Sequence, residues 1–144
     1  MLSVASVGHV AIRVKDIGRS LDFYVNKLGF REMMRFDREG KLWIVYLRIT
    51  DEQFLEIFPD GTGDRAPGWE TVGYNHMCLT VEDIDRCVAE LEAAGVPLLR
   101  PKVKQVDNNW QCWIEDPDGH RIELMQMADD SAQGAAIARL REMT

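Results

Sequence analysis

Apolar and polar residues alternate over residues 7–14, as along a strand with one covered face and one open face. Asp16 then stands where a helix N-cap belongs, ahead of Ile17, Leu21, Tyr24 and Leu28 at helical spacing, with Gly29 as the stop. Three β-rich runs follow, at 30–36, 42–49 and 53–58. The same order then returns. Residues 76–81 alternate, Asp83 caps, Ile84, Val88 and Leu91 form an apolar stripe, and Gly95 ends it. Strands are predicted at 98–103, 109–115 and 120–127, with Asp116-Pro117-Asp118-Gly119 as the turn before the last. Residues 128–144 predict a terminal helix with Ala136, Ile137, Leu140 and Met143 on one side.

The two halves are one pattern used twice. Residues 6–59 align with 73–126 at an offset of 67. At that offset His9/His76, Val14/Val81, Asp16/Asp83, Ile17/Ile84, Arg19/Arg86, Trp43/Trp110, Asp51/Asp118 and Glu56/Glu123 are identical. Clustering of the identities at motif starts and ends marks a tandem duplication. Each half is a βαβββ unit of about 55 residues, too small to be comfortable alone. The fold class is therefore α+β: tandem βαβββ modules at about 6–59 and 73–127, a linker at 60–72, and the appended helix at 128–144.

The repeat also carries the candidate chemistry. His9 to Glu56 and His76 to Glu123 are both 47 residues apart, each His on the first strand of its module and each Glu on the last. Strand alternation sets which way they point. Leu55 and Ile57 flank Glu56, and Ile122 and Leu124 flank Glu123; with those apolar neighbours turned to the helices, the carboxylates take the opposite face. Val10, Ile12 and Val14 turn to the helix and leave His9, Ala11 and Arg13 on the carboxylate side; Met77, Leu79 and Val81 do the same for His76, Cys78 and Thr80. One sheet face thus gathers two imidazoles and two carboxylates. That set, His9, Glu56, His76 and Glu123, suits one octahedral divalent ion such as Ni, Co, Mn or Fe, with Zn as a further candidate.

Composition narrows the setting. The 144 residues amount to about one domain, 46% apolar and 28% charged, as in an ordinary globular protein. No stretch approaches the roughly 18 apolar residues of a membrane span, and no signal peptide is visible at the start. Three cysteines (Cys78, Cys87, Cys112) without C-x-x-C spacing point to a reducing cytoplasm rather than a disulfide framework. A net charge of −7 disfavours nucleic acid and anionic membranes as partners.

The run H-V-A-I-R-V-K-D-I-x-R-S-L-D-F-Y-x-x-x-L-G-F at 9–30 and E-D-P-D-G-H-R-I-E-L at 115–124 resemble the vicinal oxygen chelate superfamily, and within it the glyoxalase I family. The resemblance covers about residues 6–127. It implies the glyoxalase/bleomycin resistance/dioxygenase fold, in which paired βαβββ modules close into a cup-shaped mixed sheet around the metal. It also implies a homodimer, His9 and Glu56 of one chain meeting His76 and Glu123 of the other. The complete His/Glu/His/Glu set matches the small bacterial form of glyoxalase I, whereas the dioxygenases and thiol transferases of the superfamily use two His and one Glu. The implied activity is that of a metal-dependent lyase or isomerase acting on an α-hydroxy carbonyl adduct, such as the methylglyoxal–glutathione hemithioacetal, through a chelated enediolate. By resemblance Glu123 takes the α-proton and Glu56 returns or relays it. Epimerisation or isomerisation of another chelating substrate, a sugar or an acyl-CoA, is the alternative, with an Fe(II) extradiol-type dioxygenase behind it.

Arg13 matches the arginine with which that family holds a glutathione carboxylate, and it lies on the carboxylate face. Asp60 stands where the family carries Asn, and an acid there would repel that carboxylate; residues 107–110 also lack the family's Gly-Gly run. Phe54, Phe58 and Met125 are candidates to line the apolar side of a substrate pocket. Recurrence of Trp43 and Trp110 reads as packing, Met33-Met34 as core or interface, and His120 as either an acid behind the site or an exposed residue.

Overall fold

The computed structural model describes residues 2–143. Its elements run β1 (His9–Arg13), α1 (Ile17–Leu21), β2 (Arg31–Arg38), β3 (Lys41–Arg48), β4 (Phe54–Phe58), β5 (Met77–Thr80), α2 (Ile84–Ala93), β6 (Arg100–Lys104), β7 (Trp110–Glu115), β8 (Arg121–Gln126) and α3 (Ala132–Glu142). The chain divides into two compact units, Met1–Ala66 and Pro67–Thr144. Each is built on a four-stranded mixed sheet, ordered β1-β4-β3-β2 in the first and β5-β8-β7-β6 in the second. In both, the first strand pairs parallel with the last and the remaining pairs are antiparallel. The βαβββ repeat read from the sequence is therefore also the repeat of the topology.

Local chemistry sets the helix limits. The Asp16 carboxylate accepts from Arg19 N–H and that of Asp83 from Asp85 and Arg86 N–H, so each cap satisfies donors the first turn leaves unpaired. Gly29 (φ 76°) and Gly95 (φ 67°) then carry the chain away in the left-handed region that a side chain resists. One departure from the expected helix appears in the first unit, where α1 widens into π-helical turns over Asp22–Lys27.

The packed face of each sheet is the one the alternation assigned. Ile12, Val14, Leu55 and Ile57 are buried with Phe23 and Tyr24 in the first unit; Met77, Ile122 and Leu124 are buried with Ile84 and Leu91 in the second. His9, Ala11 and Arg13, like Cys78 and Thr80, lie exposed on the other side. The terminal helix α3 forms as expected, capped by Ser131 on Gly134 N–H. Its apolar side is not buried, however: Leu140 is 60% and Met143 77% exposed. It is anchored at its start by the fully buried Asn109, whose amide donates to Gln133 Oε1 and accepts from Ala128 N–H. No helix among the described residues is long and apolar enough to cross a membrane.

Replacing Asp83 by Ala removes a cap that serves two backbone donors, and stability in urea denaturation is expected to fall by about 1 kcal/mol. No change in midpoint would mean that the cap carries none of the start of α2.

Candidate functional site

In the first unit the parallel register sets His9 opposite Phe54 and Ala11 opposite Glu56, so imidazole and carboxylate stand two residues apart on one face. His9 Nε2 lies 3.4 Å from Glu56 Oε2. Tyr46, directly across from Glu56 on β3, donates its hydroxyl to Glu56 Oε1 at 2.5 Å. A hydrogen bond to a carboxylate favours the neutral phenol, so the Tyr46 pKa rises, with partial burial and the Glu56 charge adding to it. The Tyr46 ring stands edge-on to His9 at 6.0 Å and to Phe36 at 6.3 Å.

The second unit repeats the pair with different neighbours. His76, just before β5, places Nε2 3.1 Å from Glu123 Oε2. The residue across from Glu123 on β7 is Trp113, at the repeat position of Tyr46. Its indole N–H donates to Gln111 Oε1 at 2.6 Å, and its ring packs against His76 with centroids 4.7 Å apart. On the other side of Glu123 stands Cys78. Its thiol is pushed up to about 11, first by loss of surrounding water, then by the Glu123 charge and a hydrogen bond to that carboxylate.

Both glutamate side chains are about nine-tenths covered, at 10% and 12% exposed, while His9 and His76 keep 48% and 32%. A covered carboxylate facing an imidazole nitrogen within 3.1–3.4 Å is satisfied either by a hydrogen on that nitrogen or by a metal ion with open positions toward solvent. The imidazole–carboxylate donor set fits a divalent ion. Each pair sits within its own unit, and no group of three or more His, Cys, Asp or Glu side chains able to hold an ion comes together among the described residues.

The other expected residues are placed as follows. Arg13 lies on the carboxylate face, its Nη1 donating to the Pro59 carbonyl at 2.9 Å and its guanidinium 5.1 Å from the Phe58 ring centre. Phe54 and Phe58 flank Glu56 half-buried, and Phe58 also meets Trp43. Met125 is buried on the Glu123 side, its sulfur 3.5 Å from the Asn109 amide nitrogen. Trp43 and Trp110 pack at the surface, under Arg38 and Lys102 respectively. Met33 and Met34 are exposed on β2, so the core reading of that pair is corrected: β2 is the outer strand of its sheet and lies exposed along its length. His120 is not exposed either. Its Nδ1 pairs with the buried Asp116 carboxylate at 2.9 Å, and the other Asp116 oxygen caps the backbone N–H groups of Asp118 and His120.

Tyr46, Trp113, Asn75 and Arg121 escaped the sequence reading. Tyr46 and Trp113 share the repeat offset and are both aromatic, so a search for conserved type rather than identity would have found them.

The sequence profile of the Glyoxalase/Bleomycin resistance protein/Dioxygenase superfamily matches residues 6–124. The chain belongs to that superfamily. A lactoylglutathione lyase of Pseudomonas aeruginosa is 29% identical, over 88% of this chain and 85% of its own. The Escherichia coli protein YaeR, described as uncharacterized, is 30% identical over 88% of this chain and 99% of its own. Among solved structures, a glyoxalase family protein of Enterococcus faecalis superposes with a TM-score of 0.74 at 30% identity, covering 83% of this chain and 96% of that one. The superfamily fold is thus the one that the paired βαβββ units build.

Alkylation of Cys78 is expected to be slow near pH 8 despite its exposed position, because a raised thiol pKa leaves little thiolate. Glu123→Gln removes the charge that opposes thiolate formation, lowers that pKa and speeds labelling, as read by peptide mass spectrometry. Unchanged labelling would mean that the carboxylate does not act on the thiol.

Proposed function

We propose that the chain is a metal-dependent lyase or isomerase of the glyoxalase I type, moving a proton on an α-hydroxy carbonyl adduct such as the methylglyoxal–glutathione hemithioacetal. The observation that carries this reading is the duplicated pair: one imidazole nitrogen and one covered carboxylate, 3.4 Å apart in one unit and 3.1 Å in the other, at the same position of the repeat. Relatives named lactoylglutathione lyase support it. His9 and Glu56 of one chain and His76 and Glu123 of a second would make up the ligand set in a homodimer, holding one Ni, Co, Mn, Fe or Zn ion. That ion, when bound, supplies Lewis-acid stabilisation of negative charge on two adjacent substrate oxygens.

The protein's own groups divide the proton work. Each glutamate faces its histidine, but Glu56 is also tied by the strong hydroxyl donor of Tyr46, whereas the further neighbour of Glu123 is the weak thiol donor of Cys78. Glu123, the carboxylate with the weaker second donor, takes the α-proton, and Glu56 relays that same proton to the neighbouring carbon, so that the substrate keeps its proton count. Phe54, Phe58 and Met125 border the carboxylates with apolar surface that keeps water from the reacting carbons. Arg13 offers positive charge at the rim, held by the Pro59 carbonyl.

One observation favours a second reading, an epimerase or isomerase of another chelating substrate such as a sugar or an acyl-CoA. Asp60 is exposed in a left-handed turn (φ 58°) directly after the Pro59 carbonyl that holds Arg13. Its charge opposes the glutathione carboxylate that Arg13 would attract.

The test is a rate assay on metal-stripped protein reconstituted separately with Ni, Co, Mn and Zn, using the hemithioacetal. Metal-restored formation of lactoylglutathione is expected, and Glu123→Gln is expected to lower kcat by about 10²–10⁴-fold with the fold retained. A variant as fast as the parent would remove Glu123 from the proton transfer. Tight metal binding without turnover would reject glutathione in favour of the second reading.

A further inference from the structure

The two half-sites differ behind the imidazole. At the position before His9 stands Gly8; at the repeat position before His76 stands Asn75. The Asn75 side chain lies on the far edge of the His76 ring, with Oδ1 2.8 Å from Nδ1. Its amide nitrogen donates to the Trp69 carbonyl at 3.2 Å. That second bond sets which way the amide faces, because a carbonyl can only accept. The group turned to His76 is therefore the Asn75 oxygen, which is also an acceptor only, so Nδ1 of the ring must carry a hydrogen for the two to bond. The Glu123 carboxylate, 3.1 Å from Nε2, is an acceptor as well, so both ring nitrogens face acceptors, and a divalent ion that took the Nε2 lone pair would leave the single hydrogen on Nδ1, against Asn75.

We infer that Asn75 is a positioning residue that holds the His76 ring by its Nδ1 edge, so that Nε2 is aimed at a divalent ion and the Nδ1 hydrogen has a fixed acceptor once that ion is bound. The inference deepens the proposed function and rests on its reading of His76 as a ligand.

Asn75 is itself held from behind. Arg121 is buried and donates from Nε and Nη2 to the Asn75 carbonyl at 3.0 and 2.7 Å, and from Nη1 to the Pro67 carbonyl at 2.9 Å. One guanidinium thus closes the loop of residues 67–75 against β8 with bidentate geometry that lysine could not supply. Trp69, the acceptor for the Asn75 amide, lies between Arg121 and Arg100, whose guanidinium carbons are 4.3 and 4.1 Å from its ring centre. The Trp69 ring in turn meets Trp113 at 5.1 Å, and Trp113 packs on His76. The ring of His76 is therefore fixed at its Nδ1 edge by a hydrogen bond and on its side by an indole. A partner on the non-ligating nitrogen is the usual device for aiming a metal-binding histidine. Gly8 can offer His9 no such side chain.

The test reads the Nδ1 hydrogen directly, in the full chain labelled with ¹⁵N-histidine and loaded with Zn, by long-range ¹H–¹⁵N spectra. With three histidines in the chain, His76→Gln assigns the signal. In the Zn-loaded parent a protected Nδ1–H is expected for His76, lost to exchange with water in Asn75→Ala and regained in Asn75→Asp, which restores the acceptor. Calorimetric titration with Ni should show Asn75→Ala binding about 10–100-fold more weakly than the parent, with Asn75→Asp recovering much of the loss. An Nε2–H signal in the parent overturns the proposal, and so does an Asn75→Ala protein with parental spectra and affinity. A parent that binds no divalent ion overturns the proposal together with the ligand reading it rests on, whereas parental affinity in Asn75→Ala overturns the role of Asn75 alone.

Discussion

Everything in the candidate site depends on one pairing, the parallel ladder between the first and last strands of each unit. β1 against β4 and β5 against β8 bring together residues 47 positions apart that no local contact would join. A parallel pair needs a crossover, and here the helix and two antiparallel strands supply it. The ladder's register then decides the chemistry. Because side chains alternate with period two, a slip of one residue would drive Glu56 and Glu123 into the core and turn Leu55, Ile57, Ile122 and Leu124 to the open face. Burial of those four side chains is what holds the register, so the hydrophobic core and the carboxylate face are two sides of one constraint.

The same constraint creates an electrostatic demand that the two units meet differently. Each presents a largely covered carboxylate to an imidazole nitrogen. In the first unit the Tyr46 hydroxyl satisfies one carboxylate oxygen directly. In the second, the corresponding aromatic is an indole that braces the histidine instead, and Asn75 takes up its Nδ1 edge. The two units share the His–Glu pair and differ in its supports, which leaves one carboxylate with a strong hydroxyl donor and the other with a weak thiol donor. Such an asymmetry is what a reaction with separate proton-accepting and proton-returning groups requires.

Much of this was legible in the sequence because it depends on period and spacing. Alternation around Glu56 and Glu123 fixed the face, the caps at Asp16 and Asp83 fixed the helix starts, and the offset of 67 fixed the architecture. The supports were not legible for a physical reason. Arg121 reaches back to carbonyls at Pro67 and Asn75, contacts that leave no periodic trace in sequence. Nor could periodicity tell that the apolar side of α3 stays open, since an amphipathic stripe records a tendency to be covered and not what covers it. Of the two readings open for His120, the exposed one falls for a related reason: the Asp-Pro-Asp-Gly turn folds the buried Asp116 back onto it, a contact made by turn geometry and not by strand alternation.

The proposed function makes the two His–Glu pairs halves of one metal centre. Calorimetric titration of the metal-free protein with Ni, repeated on His9→Ala, Glu56→Ala, His76→Ala and Glu123→Ala, tests it most directly. One ion per chain is expected, with each of the four substitutions weakening that single binding event. Two independent ions per chain, with each substitution abolishing only the event in its own unit, would contradict it.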